Sequence, residues 1–484
     1  LSGLDLLELF AFIHPARFVV PTPAGFARAL GIAPPEDDAS ATAFLNRAAA
    51  ALLGHLESPD WREREGAWNA AQAMSRLHWP WAPLLLARLV MPERGERWLF
   101  SRWPEWEEKA ARPAPRTVRI DEATVSADLA AMLGDDAEVR EGQRSYALAA
   151  TRAFAPRDAD GQPHVLLAEA GTGIGKTLGY LAPAARWARD AGGTVWISTY
   201  TKALQRQLDR ETERIWPDPA VRARKVVIRK GRENYLCLLN LEDALQGGFA
   251  GRAAILAHLV ARWAAYSRDG DMVGGDMPGW LPTLFRRAGS TALSDRRGEC
   301  VYAGCPHYRK CFIERAARAS ADADLVIANH ALMMILAQRH DQPMTRLVFD
   351  EGHHLFDAAD STFSLALTGQ ELIELRRWIM GPEKKARGRR RGLSARLMDV
   401  ASYDPDGEAA ILDATAAASE LPADSWLGRL AEGLPLGPIE KLLAAVRATV
   451  YSRAAAQDAG YGLETEAAEL DGALIAAAGP AIEA

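Results

Sequence analysis

From about residue 140 onward, short apolar runs bounded by turn-forming and charged residues alternate with stretches whose apolar positions repeat every three to four residues. That rhythm predicts a parallel sheet wrapped by helices, because strands buried on both faces read as near-continuous apolar runs and crossover helices show one apolar stripe. The candidate strands are HVLLA (164–168), TVWIS (194–198), KVVIR (225–229), DLVIAN (324–329) and RLVFD (346–350). Each ends where a polar motif begins, and ligands in open α/β sheets bind outside the carboxyl ends of the strands. Residues 1–112 follow another pattern, Ala-rich and helical. Trp61, Trp68, Trp79, Trp81, Trp98, Trp103 and Trp106 lie there, half of the chain's 14 tryptophans, and are expected as core or interface anchors. In RPAPRTVRIDE (112–122), Pro113 and Pro115 resist helix and predict an extended connector. Two long stretches interrupt the sheet pattern. One runs from Cys237 to Cys311 and holds every cysteine; the other begins after Asp357 and continues, helical and Ala-rich, to the end.

Composition narrows the class. A chain of 484 residues with 49% hydrophobic content can bury several cores and divides into about three or four units. No apolar run approaches the roughly 20 residues of a membrane-spanning helix. Without a charged n-region and apolar core at the start, the expected location is the cytoplasm. The first residue, Leu1, gives the expectation of a fragment. A net charge of −6 leaves no global footprint for nucleic acid, so any such site must be a local groove. The basic run KKARGRRRG (384–392) reads most simply as a solvated loop.

Candidate chemistry begins at AEAGTGIGKT (168–177), between a predicted strand and a predicted helix. Gly171, Gly173 and Gly175, with Thr172 between the first two, free the backbone to turn its N–H groups inward. The helix opening at Lys176 adds its positive end. In that setting Lys176 neutralises phosphates and the Thr177 hydroxyl ligates Mg²⁺. Ala170 stands where the strict phosphate-loop pattern has its first glycine. VFDEGHH (348–354) offers the partner: Asp350 as magnesium anchor and Glu351 as base for the attacking water. For function, Lys176 and Asp350 must meet around one magnesium triphosphate. The cysteines, Cys237 and then Cys300, Cys305 and Cys311 in C-x4-C-x5-C spacing, suit thiolate ligation of either an iron–sulfur cluster or zinc. Disulfides do not suit a cytosolic ATPase.

These motifs together resemble the DinG-like branch of the superfamily 2 helicases, relatives of XPD, over about residues 138–365. The resemblance implies a P-loop, RecA-like parallel sheet flanked by helices. It also implies a helical iron–sulfur insertion, a helical arch insertion and ATP-dependent, 5′ to 3′ unwinding of DNA in repair or replication. REGQRSYA (140–147) resembles the Q motif, implying that Gln143 reads adenine. STYTKALQRQL (198–208) implies DNA-backbone contacts by Thr201 and Gln205. KGRENYLC (230–237) and IANHALM (327–333) also match family segments. DEGHH is similar to the DEAH box, with Gly352 in place of Ala and His353 at the coupling histidine. The resemblance implies that the four cysteines hold a [4Fe–4S] cluster close beside the nucleotide site, bracing an insertion at the duplex junction. Lys230 and Arg232, with Arg296 and Arg297, are then expected to line the strand path. Tyr235, Tyr302 and Tyr308 are available for stacking on bases or for packing around the cluster.

The front of the chain, residues 5–32, faintly resembles the rear part of DnaQ-like exonucleases. Asp5 survives from their carboxylate set, but NRAAAA (46–51) replaces the H-x4-D step. The expected organisation is an N-terminal domain at 1–112, read as a degenerate exonuclease remnant acting as a scaffold with an unrelated helical domain as the alternative, a first motor lobe at 113–236 and 312–360, the cysteine domain at 237–311 and an incomplete arch at 361–484. No second-lobe arginine motif follows, so the fragment is expected to hydrolyse ATP poorly by itself. The expected partners are single-stranded DNA and DNA junctions, with no membrane. The competing readings are a nucleotide-switched, non-translocating nucleic-acid binder and a nuclease built from the front domain.

Overall fold

A computed structural model describes residues 3–483, except 97–98, 135–139, 158–161, 172, 286–289, 296–299, 340–343, 366, 382–391, 394, 396, 398–400, 454–462, 464 and 466–468. Thr172, Trp98, Arg296, Arg297 and nearly all of the basic run 384–392 therefore lie outside the described residues. The chain divides into one unit made of Leu1–Glu242 with Gly251–Ser364 and another made of Asp243–Ala250 with Leu365–Ala484.

The first unit is built on an all-parallel sheet of four strands, β1 (Val195–Thr199), β2 (Val226–Ile228), β3 (Leu325–Asn329) and β4 (Leu347–Phe349), in the order β2-β3-β1-β4. The α/β expectation is met, and β1 is buried along its whole length. Alternation along the strands sends Val195, Ile197, Leu325 and Ile327 into a core with Leu181 and Trp187 of the helix Lys176–Ala191. Trp196, Val326 and Ala328 point the other way, onto Leu332 and Met333. Four of the five anticipated strands are found within one or two residues of their expected bounds. The fifth, 164–168, is not a strand: Val165 and Leu167 are 75% and 92% exposed. Apolar composition cannot make a strand without a ladder partner for its backbone groups, and no strand among the described residues forms a ladder with this stretch.

Residues 3–112 are helical, with no strand among the described residues. Asp5 caps the helix Leu6–Ile13 by accepting from the amides of Leu7 and Glu8. The 46–51 stretch lies inside the helix Asp38–His55. This helical module packs on the cysteine-bearing insertion. Arg262, from the helix Arg252–Tyr266, donates to the Phe12 and Glu63 carbonyls at 2.7 Å each and lies 4.4 Å over the Phe12 ring. Trp103 donates to Ala264 O at 2.9 Å, and Trp106 to Tyr308 O at 3.1 Å. Farther along, Arg112 bonds Thr194, Ala323 and Asp324 at the amino ends of β1 and β3, fastening the connector under the sheet.

The second unit is helical among its described residues, including Gly369–Met380, Pro405–Ser419, Trp426–Glu432, Gly437–Arg453 and Gly472–Glu483. Its firmest internal tie is Arg429 to the buried carboxylate of Glu440, with Nε–Oε2 at 2.9 Å. No helix among the described residues is long and apolar enough to cross a membrane.

Candidate nucleotide site and cysteine insertion

The site forms where β1 and β4 end side by side. The Asp350 amide donates to Ser198 O at 2.8 Å, which ties the acidic turn to the end of β1. Gly175 caps the helix Lys176–Ala191 at φ +89°, a conformation that favours glycine, and a Cβ there would stand 2.2 Å from Gln143 Nε2. Gln143 donates to Gly175 O at 2.8 Å, and Arg140 donates to Gly173 O. Gly173 is also left-handed, at φ +83°, while Gly171 adopts no such conformation and stands exposed. The loop is thus curled and held from outside by the helix Glu141–Ala153. Beside it opens a pocket of about 410 Å³, lined by Arg140, Gln143, Gly175, Thr177, Gln207 and Arg214.

Lys176 and the acidic turn meet, although 175 residues separate them. Lys176 Nζ lies 3.1 Å from Glu351 Oε1. Burial, and then the neighbouring charge of Glu351, pushes the Asp350 carboxyl above its ordinary range, with Tyr180 and Lys176 opposing. Tyr180, one turn along the helix from Lys176, brings its buried hydroxyl to both Thr177 and Asp350 without reaching good hydrogen-bond geometry. Thr177 and Asp350 therefore share one small volume. That suits Mg²⁺, which takes one or two protein oxygens and fills its shell with water and phosphate. Glu351 sits in the left-handed region at φ +56°, and His353 Nδ1 is 3.6 Å from its other oxygen.

Sequence reasoning missed the layer behind this turn. His330 is buried, with Nδ1 2.6 Å from Ser198 Oγ, and the Tyr200 ring stacks on His354 at 3.7 Å. IANHALM was noted as a segment, but nothing in its spacing assigned His330 a task. Tyr180 was legible in principle, since positions i and i+4 share a helix face.

The proposed nucleic-acid contacts divide. Thr201 is exposed but caps the helix Lys202–Glu211 by accepting from Leu204 N. Gln205 is buried, its Oε1 unpartnered, and so is not presented to a ligand. The strand-path expectation for Lys230 and Arg232 needs correction. Lys230 is buried in an ion pair with Asp271, and Arg232 donates to Asp295 Oδ2 at 2.8 Å. The Lys230 charge is neutralised in the interior, and that of Arg232 is paired at a partly exposed position. Tyr235 is buried and Tyr308 packs on Trp106, whereas Tyr302 is half exposed with Arg232 4.9 Å from its ring centre.

The four thiols are free and partly buried. Among the described residues no three His, Cys, Asp or Glu side chains are grouped to hold one metal ion, so the expected convergence on a common ion is not met. The sulfurs do feel one another, Cys237 with Cys311, Cys311 with Cys300 and Cys300 with Cys305. Burial pushes the Cys237 thiol up to about 12 and raises Cys305 and Cys311. Against that, the Tyr302 amide donates to Cys300 Sγ at 3.4 Å, and backbone amides near Cys237, Cys305 and Cys311 oppose the upward push. Four partly buried thiols with amide dipoles near them are a donor set whose chemistry suits thiolate ligation.

No family model matches the chain. Among curated proteins it is 35% identical over 250 residues to the ATP-dependent DNA helicase YoaA of Escherichia coli, covering 49% of this chain and 36% of the relative. It is 35% identical over 253 residues to the ATP-dependent helicase DinG of Mycobacterium tuberculosis, covering 48% and 37%. Over this span the chain is similar to these helicases. The 3'-5' exonuclease DinG of Bacillus subtilis is 32% identical over 244 residues, covering 49% of this chain and 24% of that protein. The chain thus spans well under two thirds of the length of the curated relatives it matches.

Proposed function

We propose that the chain is the nucleotide-binding part of a cytoplasmic, ATP-dependent DNA helicase of DinG type. It works 5′ to 3′ on DNA with single-stranded regions and junctions, in repair or replication. The observation that carries this reading is the meeting of Lys176, on a curled glycine loop at a helix start, with the acidic turn Asp350–Glu351. Lys176 leaves Glu351 for the phosphates, and the freed carboxylate orients and deprotonates the attacking water. Gln143 is buried in the wall of the adjoining pocket with its amide on Gly175 O, and would read adenine by releasing that bond. Thr177 and Asp350 would hold the magnesium, which would supply charge neutralisation at the phosphates.

Cys237, Cys300, Cys305 and Cys311 hold a [4Fe–4S] cluster in this reading. Its contribution is structural, fixing the insertion on the motor lobe. A nuclease role gains no support, because Asp5 is consumed as a helix cap.

Two measurements test the proposal. Titration with Mg²⁺ and a fluorescent ADP analogue should show saturable binding that Lys176→Ala weakens at least about tenfold, as loss of a charge-assisted phosphate contact requires. Anaerobic purification should yield about four irons and four sulfides per chain with a broad visible absorption. Unchanged binding in Lys176→Ala sinks the nucleotide site, and one tightly held zinc sinks the cluster.

A further inference from the structure

Ser198, at the end of β1, is held from two directions. Its carbonyl accepts from the Asp350 amide at 2.8 Å, and its hydroxyl meets His330 Nδ1 at 2.6 Å. Ser198 and His330 are 0% and 1% exposed, so neither has water as an alternative partner. A buried imidazole of this kind is neutral and carries one ring proton. With Nδ1 accepting from the Ser198 hydroxyl, that proton sits on Nε2. Nε2 is buried and lies near the backbone of Asp350 and Glu351 without reaching good hydrogen-bond geometry. Glu351 is also one of five non-glycine residues with positive φ among the described residues. The donor without an acceptor and the strained peptide are therefore neighbours. Beyond Ser198 the chain continues into Tyr200, stacked on His354, and Thr201, which starts the next helix.

We infer that His330 couples the nucleotide site to the 198–201 loop, as a positioning residue that touches neither ligand. The inference rests on the reading of 168–177 as a nucleotide site and of the exposed Thr201 as a nucleic-acid contact. Phosphate draws Lys176 away from Glu351, and the acidic turn loses the contact that holds it. The 350–351 peptide then relaxes from its left-handed conformation and offers a carbonyl to His330 Nε2. The ring follows, and Ser198 carries the shift into the loop. Strain at one turn and an unmet donor beside it form a two-position element, which is what coupling between two sites requires. By reciprocity, nucleic acid on the loop changes nucleotide affinity by the same factor.

The test is a binding cycle on the full chain, using Mg²⁺ with a fluorescent ADP analogue, single-stranded oligothymidylate, and both together. The wild-type chain should show each ligand changing the other's affinity about fivefold or more, within the usual range of such couplings. His330→Asn keeps a group able to bond Ser198 and removes Nε2. It should bring the coupling below about twofold while each separate affinity stays within about twofold, a pattern that general loosening of the fold would not give. Ser198→Ala cuts the same link from the other side and carries the test if His330→Asn melts early. Coupling retained in either folded variant, or absent from a wild-type chain that binds both ligands, overturns the inference. Failure of the wild-type chain to bind either ligand overturns the functional reading, and this inference with it.

Discussion

Glu351 bears two burdens, a left-handed backbone and a carboxylate beside that of Asp350. Only glycine adopts this conformation without a steric cost of roughly 1–2 kcal/mol. Glu351→Gly should therefore raise stability by about 1 kcal/mol in urea unfolding, and Glu351→Gln should not, since it keeps the Cβ. A second residue titrates with the fold. Burial, followed by the charges of Arg17, His55 and Arg262, pushes His14 down to about 3. The unfolded chain then binds the proton that the folded chain refuses, so this contribution is complete above pH 6.5 and is lost as pH falls toward 3. Between pH 7.5 and 5 it amounts to about 2 kcal/mol, and His14→Gln should flatten that slope in urea midpoints taken at the two values. At this scale the sequence was most legible where chemistry is local. The glycine loop and the cysteine spacing declare themselves within ten or fifteen residues. Lys230 and Arg232 misled because their partners, Asp271 and Asp295, lie 41 and 63 residues away. A cation's availability depends on such pairings, which no local pattern encodes.

Among the elements, strands were easier to find than their pairings. Apolar runs marked β1 to β4, but whether 164–168 joins a ladder depends on a partner edge, and β4 is only three residues long. The tryptophans illustrate the converse. Their density near residue 100 suggested anchors without saying for what, and they turn out to strap the cysteine loop. Phe100 stacks on His307 at 4.6 Å, Lys310 donates to Phe100 O at 2.9 Å, and Arg318 lies 3.4 Å over the Trp106 ring. Trp106 also pairs through its backbone amide with Arg309 O. This strap closes over the turn between Cys305 and Cys311. Trp106→Ala removes a large ring and one indole hydrogen bond while leaving every cysteine in place. It should speed alkylation of Cys305 and Cys311 by iodoacetamide several-fold over the wild-type rate, measured by peptide mass mapping, with Cys237 little changed. Equal rates would mean that the loop is held by its own turns.

For the molecule as a whole, the front module and the cysteine insertion share one interior although some 190 residues of chain separate Ser58 from Gly251. Arg262 is the clearest instance, a fully buried guanidinium with two backbone carbonyls and two aromatic rings around it. Its pKa is driven down to about 10 by burial, so the charge itself weakens the fold, while the long stem and the hydrogen bonds strengthen it. The two terms can be separated. Arg262→Ala leaves a cavity and two unpaired carbonyls and should cost about 2–4 kcal/mol. Arg262→Met keeps most of the packing and removes the buried charge, so it should cost less than half as much. If the module braces the insertion, Arg262→Ala should also expose residues 238–299 to limited proteolysis before the sheet is attacked, and Arg262→Met should protect them. Simultaneous cleavage in both regions would make the module and the sheet a single cooperative block. In that case Arg262→Ala should lower the unfolding midpoint of the entire first unit, not of the insertion alone.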